Sequence, residues 1–244
     1  MTQSVQEWFE RELAEKGIRL TSRQLEQFEL YYRELIAWNE KMNLTAITEK
    51  PEVYAKHFFD SLTLVFFLPM EQILTVADVG SGAGFPGLPV KIVYPHLKLT
   101  LIDSLNKRVQ FLRYMTETLK LRQVECVHMR AEEAGRAAKY RDRFDLVTSR
   151  AVARLSVLHE LCLPLVKPEG FFAAMKGIDP TDEMEEAKYS AEQLCAVFHE
   201  NRHLALPLDH SQRHILIYRK TGKTPKAYPR KPGYPKKFPL IKGK

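Results

Sequence analysis

The sequence predicts a doubly wound α/β sheet, mostly parallel, that closes on an antiparallel hairpin and carries a helical extension in front. Three observations predict it. From Val76 onward, short apolar runs alternate with helix-length segments, and such alternation builds a parallel sheet. The first run, Val76-Ala77-Asp78-Val79, turns directly into Gly80-Ser81-Gly82-Ala83-Gly84-Phe85-Pro86-Gly87, where four glycines fall within eight residues. Glycine has no Cβ and takes φ > 0 freely, so this turn lets backbone approach a ligand at a strand end. Finally, runs at about His199–Leu206 and Arg213–Lys220 leave no room for a helix between them. They are expected to pair as an edge hairpin, turned by Pro207-Leu208-Asp209-His210.

The elements follow in order. Residues 4–17 read as a helix with Val5, Trp8, Phe9, Leu13 and Ile18 as its apolar stripe, ended by Gly17. Thr21 and Gln24 form a capping-box pair that opens a long helix to about Asn43, with Leu25, Phe28, Tyr32, Leu35 and Ile36 at helical spacing. Pro51 suits the start of a third helix running to about Phe67. Strands are expected at Thr75–Val79, Leu99–Asp103, Val124–Met129, Phe144–Ser149 and Gly170–Met175, and helices at 87–94, 106–120, 131–138, 152–166 and 181–198. Five βα units and then a hairpin is the pattern of class I AdoMet-dependent methyltransferases; plain dinucleotide folds continue with parallel units. The segments expected are a helical extension over 1–70 packed on the core, a sheet domain over 71–220, and a basic, proline-rich tail over 221–244.

Composition narrows the function classes. A chain of 244 residues with 45% hydrophobic and 27% charged residues can bury a full core. The longest apolar run, Leu62 to Leu68, falls far short of the roughly 20 residues a membrane span needs. No signal peptide is evident at the N-terminus. Cys126, Cys162 and Cys195 fit neither a disulfide framework nor a metal knuckle, and suggest a reducing cytoplasm. Nine of the 37 Lys and Arg residues, and no acid, lie from Lys220 to Lys244, so the first 219 residues carry 28 bases against 30 acids. The tail holds all the excess charge and suits a polyanion such as nucleic acid. Its proline density predicts extended, mobile chain, ordered only against a partner and unnecessary for cofactor binding.

The glycine turn also fits a dinucleotide fingerprint at Gly82-x-Gly84-x-x-Gly87. Two features oppose that reading. Gly80, rather than Gly82, stands at the strand end, and Pro86 lacks the N–H that a pyrophosphate would use. The spacing Asp78-x-Gly80-x-Gly82-x-Gly84 instead resembles the first motif of class I methyltransferases, whose loop wraps the amino acid part of AdoMet. Asp103, about twenty residues on, can accept both ribose hydroxyl protons, or can cap the helix that follows. Arg130-Ala131-Glu132 after the third strand can meet the adenine edge, though the acids also suit a helix N-terminus.

The acceptor is read from the segment after the fourth strand, Thr148-Ser149-Arg150-Ala151. The Asn/Asp-Pro-Pro-aromatic motif of exocyclic amine methylation is missing there. Carbon methylation of pyrimidines needs a cysteine nucleophile, and Cys162 and Cys126 read as core. An acceptor that is already nucleophilic remains, and N7 of guanine is one. Arg150 could orient such a base. His57 reads first as a packing hydrogen bond and second as a substrate contact. No metal spacing occurs, so no metal is expected.

Trp38-Asn39-x-x-x-Asn43-Leu44-Thr45, His57-Phe58-Phe59-Asp60-Ser61, Asp78 to Gly87, Asp103-Ser104-Leu105-x-Lys107-Arg108, Arg130-Ala131-Glu132, Ser149-Arg150-Ala151 and Thr224-Pro225-x-x-Tyr228-Pro229-Arg230-Lys231-Pro232-Gly233 together resemble the bacterial 16S ribosomal RNA guanine-N7 methyltransferase family, formerly called glucose-inhibited division protein B. The resemblance implies S-adenosyl-L-methionine as donor and a guanine of the 530 loop as acceptor, in 16S rRNA, the small subunit or an assembly intermediate. It implies AdoMet contacts at Gly80, Phe85, Ala131, Glu132 and Arg150. Lys107, Arg130 and Arg150 are then the cations expected near the RNA or the target base. With Asp78, Gly82, Gly84 and Asp103 from the loop and ribose readings, these residues form the expected site of a cytoplasmic monomer. A nicotinamide-dependent oxidoreductase and a non-catalytic RNA-binding protein are the alternatives.

Overall fold

A computed structural model describes residues 4–177 and 179–243; residues 1–3 and Lys244, at the outer ends of the first and last expected segments, lie outside it. One sheet contains β1 (Thr75–Val79), β2 (Lys98–Asp103), β3 (Val124–His128), β4 (Phe144–Arg150), β5 (Val166–Lys176), β6 (Ala196–Ala205) and β7 (Gln212–Lys220). Their order is β3-β2-β1-β4-β5-β7-β6. The first five are parallel, and β7 runs antiparallel to both β5 and β6, as the missing helix predicted. The chain winds outward from β1 to β3 and then crosses back to β4, so the β1–β4 boundary is the switch point where such sheets bind ligands.

The helical extension begins with local chemistry. α1 (Val5–Glu15) opens on a Ser4–Glu7 capping box and ends at Gly17, whose φ of 81° lets the Ile18 N–H reach Leu13 O at 2.9 Å. α2 (Ser22–Met42) opens on the expected box, with Gln24 N–H donating to Thr21 Oγ1 at 3.3 Å and Thr21 N–H to Gln24 Oε1 at 2.8 Å. Its buried face is Phe28, Tyr31 and Leu35. Tyr32, which the spacing selected, is only half-buried; Tyr31 takes the core because its hydroxyl finds Ala83 O at 2.5 Å.

The third helical segment is composite. It is α-helical over α3 (Lys50–Val53), π-helical over Tyr54–Phe59, α-helical over α4 (Asp60–Thr63) and 3₁₀ over Leu64–Phe67. Phe58 stands at the centre of an aromatic cluster, with ring centroids 6.4 Å from Phe9, 5.1 Å from Phe28, 5.1 Å from Tyr31, 5.0 Å from Tyr54 and 6.1 Å from Phe85. The extension therefore shares one apolar core with the sheet and reaches the glycine turn through Phe85.

Elsewhere the structure corrects expected boundaries. α5 (Gly87–Val93) and α6 (Asn106–Thr118) lie where expected, whereas the helix at 131–138 shortens to α7 (Ala131–Ala134). The helix at 152–166 shortens to α8 (Leu155–Cys162), because Ala151 sits at φ 56° and Glu183 caps the Leu155 N–H at 2.8 Å. The helix at 181–198 divides into α9 (Thr181–Glu186) and α10 (Lys188–Gln193), after which Cys195, at φ 55°, turns the chain into β6. No helix of the described residues is long and apolar enough to cross a membrane.

The largest correction concerns the tail, which is docked. Arg141 donates to the carbonyls of Thr224, Pro225 and Tyr228 at 2.8, 3.1 and 2.8 Å. Lys220, completely buried, donates to Asp142 Oδ1 at 3.1 Å and to Thr224 Oγ1 at 2.7 Å, and a short helix, α11 (Tyr234–Lys237), follows. Arg141 thus satisfies three carbonyls of the tail from the body, while the tail's own backbone satisfies others, with Tyr234 N–H donating to Lys231 O at 3.0 Å and Phe238 N–H to Tyr234 O at 2.8 Å.

Phe58→Ala should lower the unfolding free energy in urea by about 3–5 kcal/mol, the usual cost of truncating a buried phenylalanine. A loss below about 1 kcal/mol would show that the cluster is not a shared core.

Candidate active site

Two carboxylates hold the glycine turn from within. Asp78, at the end of β1, is completely buried, and its Oδ2 accepts the Gly87 N–H at 2.9 Å. Its Oδ1 has no hydrogen-bond partner among the described residues. Burial pushes its pKa up to about 7, against the pull of the Gly87 N–H and Arg150. Asp103, at the end of β2, accepts the Gly82 N–H on Oδ2 and the Leu105 N–H on Oδ1, both at 2.9 Å. The glycines then serve different ends. A Cβ on Gly84 would lie 2.5 Å from Leu88 Cδ1 and 2.6 Å from the Tyr31 hydroxyl, so this position is a packing constraint. A Cβ on Gly82, at φ 58°, would meet nothing closer than Gly80 O at 3.9 Å and would project into open space.

That space is a pair of adjoining cavities sharing Gly80, Ser104 and Val152. One, of about 380 Å³, lies against the turn and is lined by Gly82, Phe85, Asp103, Arg108 and Arg150 among others. The second, of about 270 Å³, has apolar walls from Ile102, Met129, Val157 and Leu161, with Arg130, Ala131, Glu132 and Lys236 at its polar side. Larger hollows of about 710 and 780 Å³ beside α9 and α10 share no residue with the turn.

The end of the first cavity is built around Phe85. Tyr31 and His57 both stack on its ring, at 5.4 Å and 16° and at 4.6 Å and 20°, and the Arg150 guanidinium lies 5.0 Å from its centroid. Arg150 Nη1 donates to Asp60 Oδ2 at 3.2 Å, and Arg213 Nε donates to Asp60 Oδ1 at 3.0 Å. Burial draws the Arg150 pKa below its ordinary value, with Asp60 and Asp78 opposing. Burial and then Arg150 push His57 down to about 3, so it is neutral near pH 7. Its Nε2 pairs with Thr45 Oγ1 at 2.7 Å, and both residues line the first cavity, so the hydrogen bond expected of His57 stands beside a place where a substrate could reach it.

Most expected site residues converge. Gly80, Gly82, Phe85, Asp103 and Arg150 line the first cavity, and Gly80, Arg130, Ala131 and Glu132 line the second. Asp78 and Gly84 line neither, and act beneath the turn. Lys107 is exposed on α6 and lines neither cavity; the helical step of about 100° per residue brings Arg108 there instead, 3.8 Å from Asp103. The sequence reading gave no site role to Asp60, Arg108, Arg213 or Lys236, although Asp60 and Arg108 stand in the motifs that carry the resemblance. Asp60 left a signal, an acid within an apolar helix, whereas Arg213 and Lys236 left none. Among the described residues no group of three or more His, Cys, Asp or Glu could hold a metal ion.

The pKa of Asp78 is raised on folding, so the native state holds a proton that the unfolded chain releases above its ordinary value near 4. The stability this gives is present at low pH and is lost as pH rises through about 7. Thermal melts of Asp78→Asn and the natural protein should therefore shift in the variant's favour between about pH 4 and pH 7 and run parallel above. A pH-independent difference would show that Asp78 ionises normally.

Comparison with known proteins agrees with this geometry. The family model GidB, described as rRNA small subunit methyltransferase G, matches residues 24–216. A ribosomal RNA small subunit methyltransferase G of Bacillus velezensis is 54% identical over 228 residues, 93% of this chain and 95% of that protein. A protein of the same name from Bacillus cytotoxicus is 53% identical over 236 residues, 97% of this chain and 99% of that one. The fold is shared with a SAM-dependent methyltransferase from Aquifex aeolicus, at a TM-score of 0.51 and 19% identity over 72% of this chain and 96% of that one. The chain belongs to the rRNA small subunit methyltransferase G family.

Proposed function

We propose that the protein transfers the methyl group of AdoMet to N7 of a guanine in the 530 loop of 16S rRNA, acting as a cytoplasmic monomer. The observation that carries the reading is the divided cavity at the β1–β4 switch point, into which a Gly82 Cβ would project. A pyrophosphate is poorly served here. Pro86 has no N–H, and the Gly87 N–H at the start of α5 is already given to Asp78. The oxidoreductase reading therefore loses the contact it requires.

AdoMet, when bound, supplies an electrophilic methyl group on a sulfonium. The residues that would hold it divide by chemistry. The backbone of Gly80 and Gly82 would receive the amino acid portion, and the second lone pairs of Asp103 would accept ribose hydroxyls. Ile102, Met129 and Leu161 would cover the adenine faces, with Ala131 and Glu132 at its edge.

The acceptor chemistry follows from what the basic groups already do. Both oxygens of Asp103 are engaged, and His57 Nε2 is tied to Thr45. N7 of guanine attacks through a lone pair and releases no proton, so it asks for positioning rather than a general base. Arg150, held by Asp60, would orient the guanine through O6 or a phosphate. Arg130 and Lys107, both exposed, would meet the RNA backbone rather than the reacting atoms.

Calorimetry should show binding of AdoMet and S-adenosylhomocysteine; binding of NAD alone would sink the reading. Gly82→Val should weaken AdoMet by roughly 10- to 100-fold, because overpacking costs about 1–3 kcal/mol. Unchanged affinity would mean that the turn is not the site. Borohydride–aniline cleavage, which breaks RNA at N7-methylguanosine, should lose one cut in 16S rRNA from a strain lacking the gene. An identical pattern would exclude this acceptor.

A further inference from the structure

The docked tail reaches the second cavity at two points. The Gly233 N–H donates to Glu132 Oε1 at 2.7 Å. Lys236, on α11, lines the cavity itself. Glu132 is only 5% exposed, and its other oxygen lies 3.6 Å from Arg130 Nε. Its orientation thus depends on a donor from a segment about a hundred residues distant in sequence.

The tail is anchored close by. Arg230 N–H and Nε donate to Glu160 Oε1 at 2.7 and 2.9 Å, and Arg230 Nη2 donates to Glu160 Oε2 at 2.6 Å and to Phe238 O at 2.6 Å. The Glu160 side chain is 1% exposed, and a carboxylate so buried demands its partner. Glu160 lies on α8, which also supplies Val157 and Leu161 to the cavity wall. The clamp therefore joins the tail to the helix that forms part of the cavity.

We propose that the segment from Arg230 to Lys237 completes the nucleobase end of the cofactor cavity and sets its preference for adenine. Arg230 and Gly233 act as positioning residues for Glu132, and Lys236 adds a cation to the wall. The inference rests on the reading of the cavity as an adenosine site. A carboxylate held still can accept from the exocyclic amine of adenine. Hypoxanthine presents a carbonyl at the same place, so acceptor would face acceptor, and a buried unpaired acceptor is costly. Once the Gly233 N–H is lost, Glu132 can turn away and the distinction weakens. Cofactor binding then depends on the tail, contrary to its expected independence.

The test is calorimetry of the full chain with S-adenosylhomocysteine and S-inosylhomocysteine, for the natural protein, Arg230→Ala, Lys236→Ala and Glu160→Gln. The natural protein should prefer the adenosyl ligand by roughly 10- to 100-fold, the usual worth of a hydrogen bond to a charged group. Arg230→Ala should weaken the adenosyl ligand and bring the preference close to one. Lys236→Ala, an exposed substitution that leaves the Gly233 N–H on Glu132, should melt normally and bind both ligands more weakly with the preference intact. Glu160→Gln, which loosens the same clamp without emptying it, should lower the preference and decides the matter if Arg230→Ala does not fold. Folded variants with unchanged affinity and preference overturn the proposal. So does weaker binding in Arg230→Ala with the preference intact, since that marks a merely structural role. If the natural protein binds neither ligand, the adenosine reading fails as well.

Discussion

The hydrogen bond from the Gly87 N–H to the buried Asp78 carboxylate is the constraint on which the rest of the site depends. It joins the end of β1 to the first residue of α5 and so closes the glycine turn over its own strand. Asp103 repeats the device from β2 through the Gly82 N–H. With its inward N–H groups spoken for, the turn presents a concave backbone rather than a phosphate cradle. A carboxylate this deep resists ionisation, which is the physical cost of the arrangement.

The helical extension bears on the site because its core is continuous with the turn. Tyr31 holds Ala83 O, and with His57 it stacks on Phe85. Asp60, at the junction after the π-helical turn, holds Arg150 from β4 and Arg213 from β7. One acid thus ties the extension to two strands of the sheet, β4 and β7. The guanidinium expected to face the acceptor is oriented by a helical segment that precedes β1. A buried ion pair of this kind contributes direction more surely than stability.

The tail shows how charge can mislead. Its basic residues suit a polyanion, and many remain exposed, but Lys220 and Arg230 are consumed by Asp142 and Glu160. Charge counted along the chain does not separate cations that neutralise buried acids from those left to meet RNA. Only the former can explain why a segment without helical or strand period is ordered.

Local chemistry was legible in the sequence. The Thr21–Gln24 capping box, the Gly17 stop, the alternation of runs and the helix-free step into the final hairpin each depend on neighbouring residues, and each appears as read. So did the convergence of Gly80, Gly82, Phe85, Asp103, Glu132 and Arg150, because strand ends in this topology meet at one edge. What the sequence could not decide was every contact whose partner lies far along the chain. Tyr31 displaced Tyr32, Arg108 rather than Lys107 lines the cavity, Gly233 gained a partner in Glu132, and Arg213 and Lys236 entered unannounced. The sequence by itself determined the fold and the strand-end residues, since periodicity and turn chemistry are local, and it carried the family through the resemblance of its motifs. Tertiary structure alone decided which acids hold the loop, which cations are free and how the tail closes the cavity, since burial and ion pairing exist only once distant segments pack.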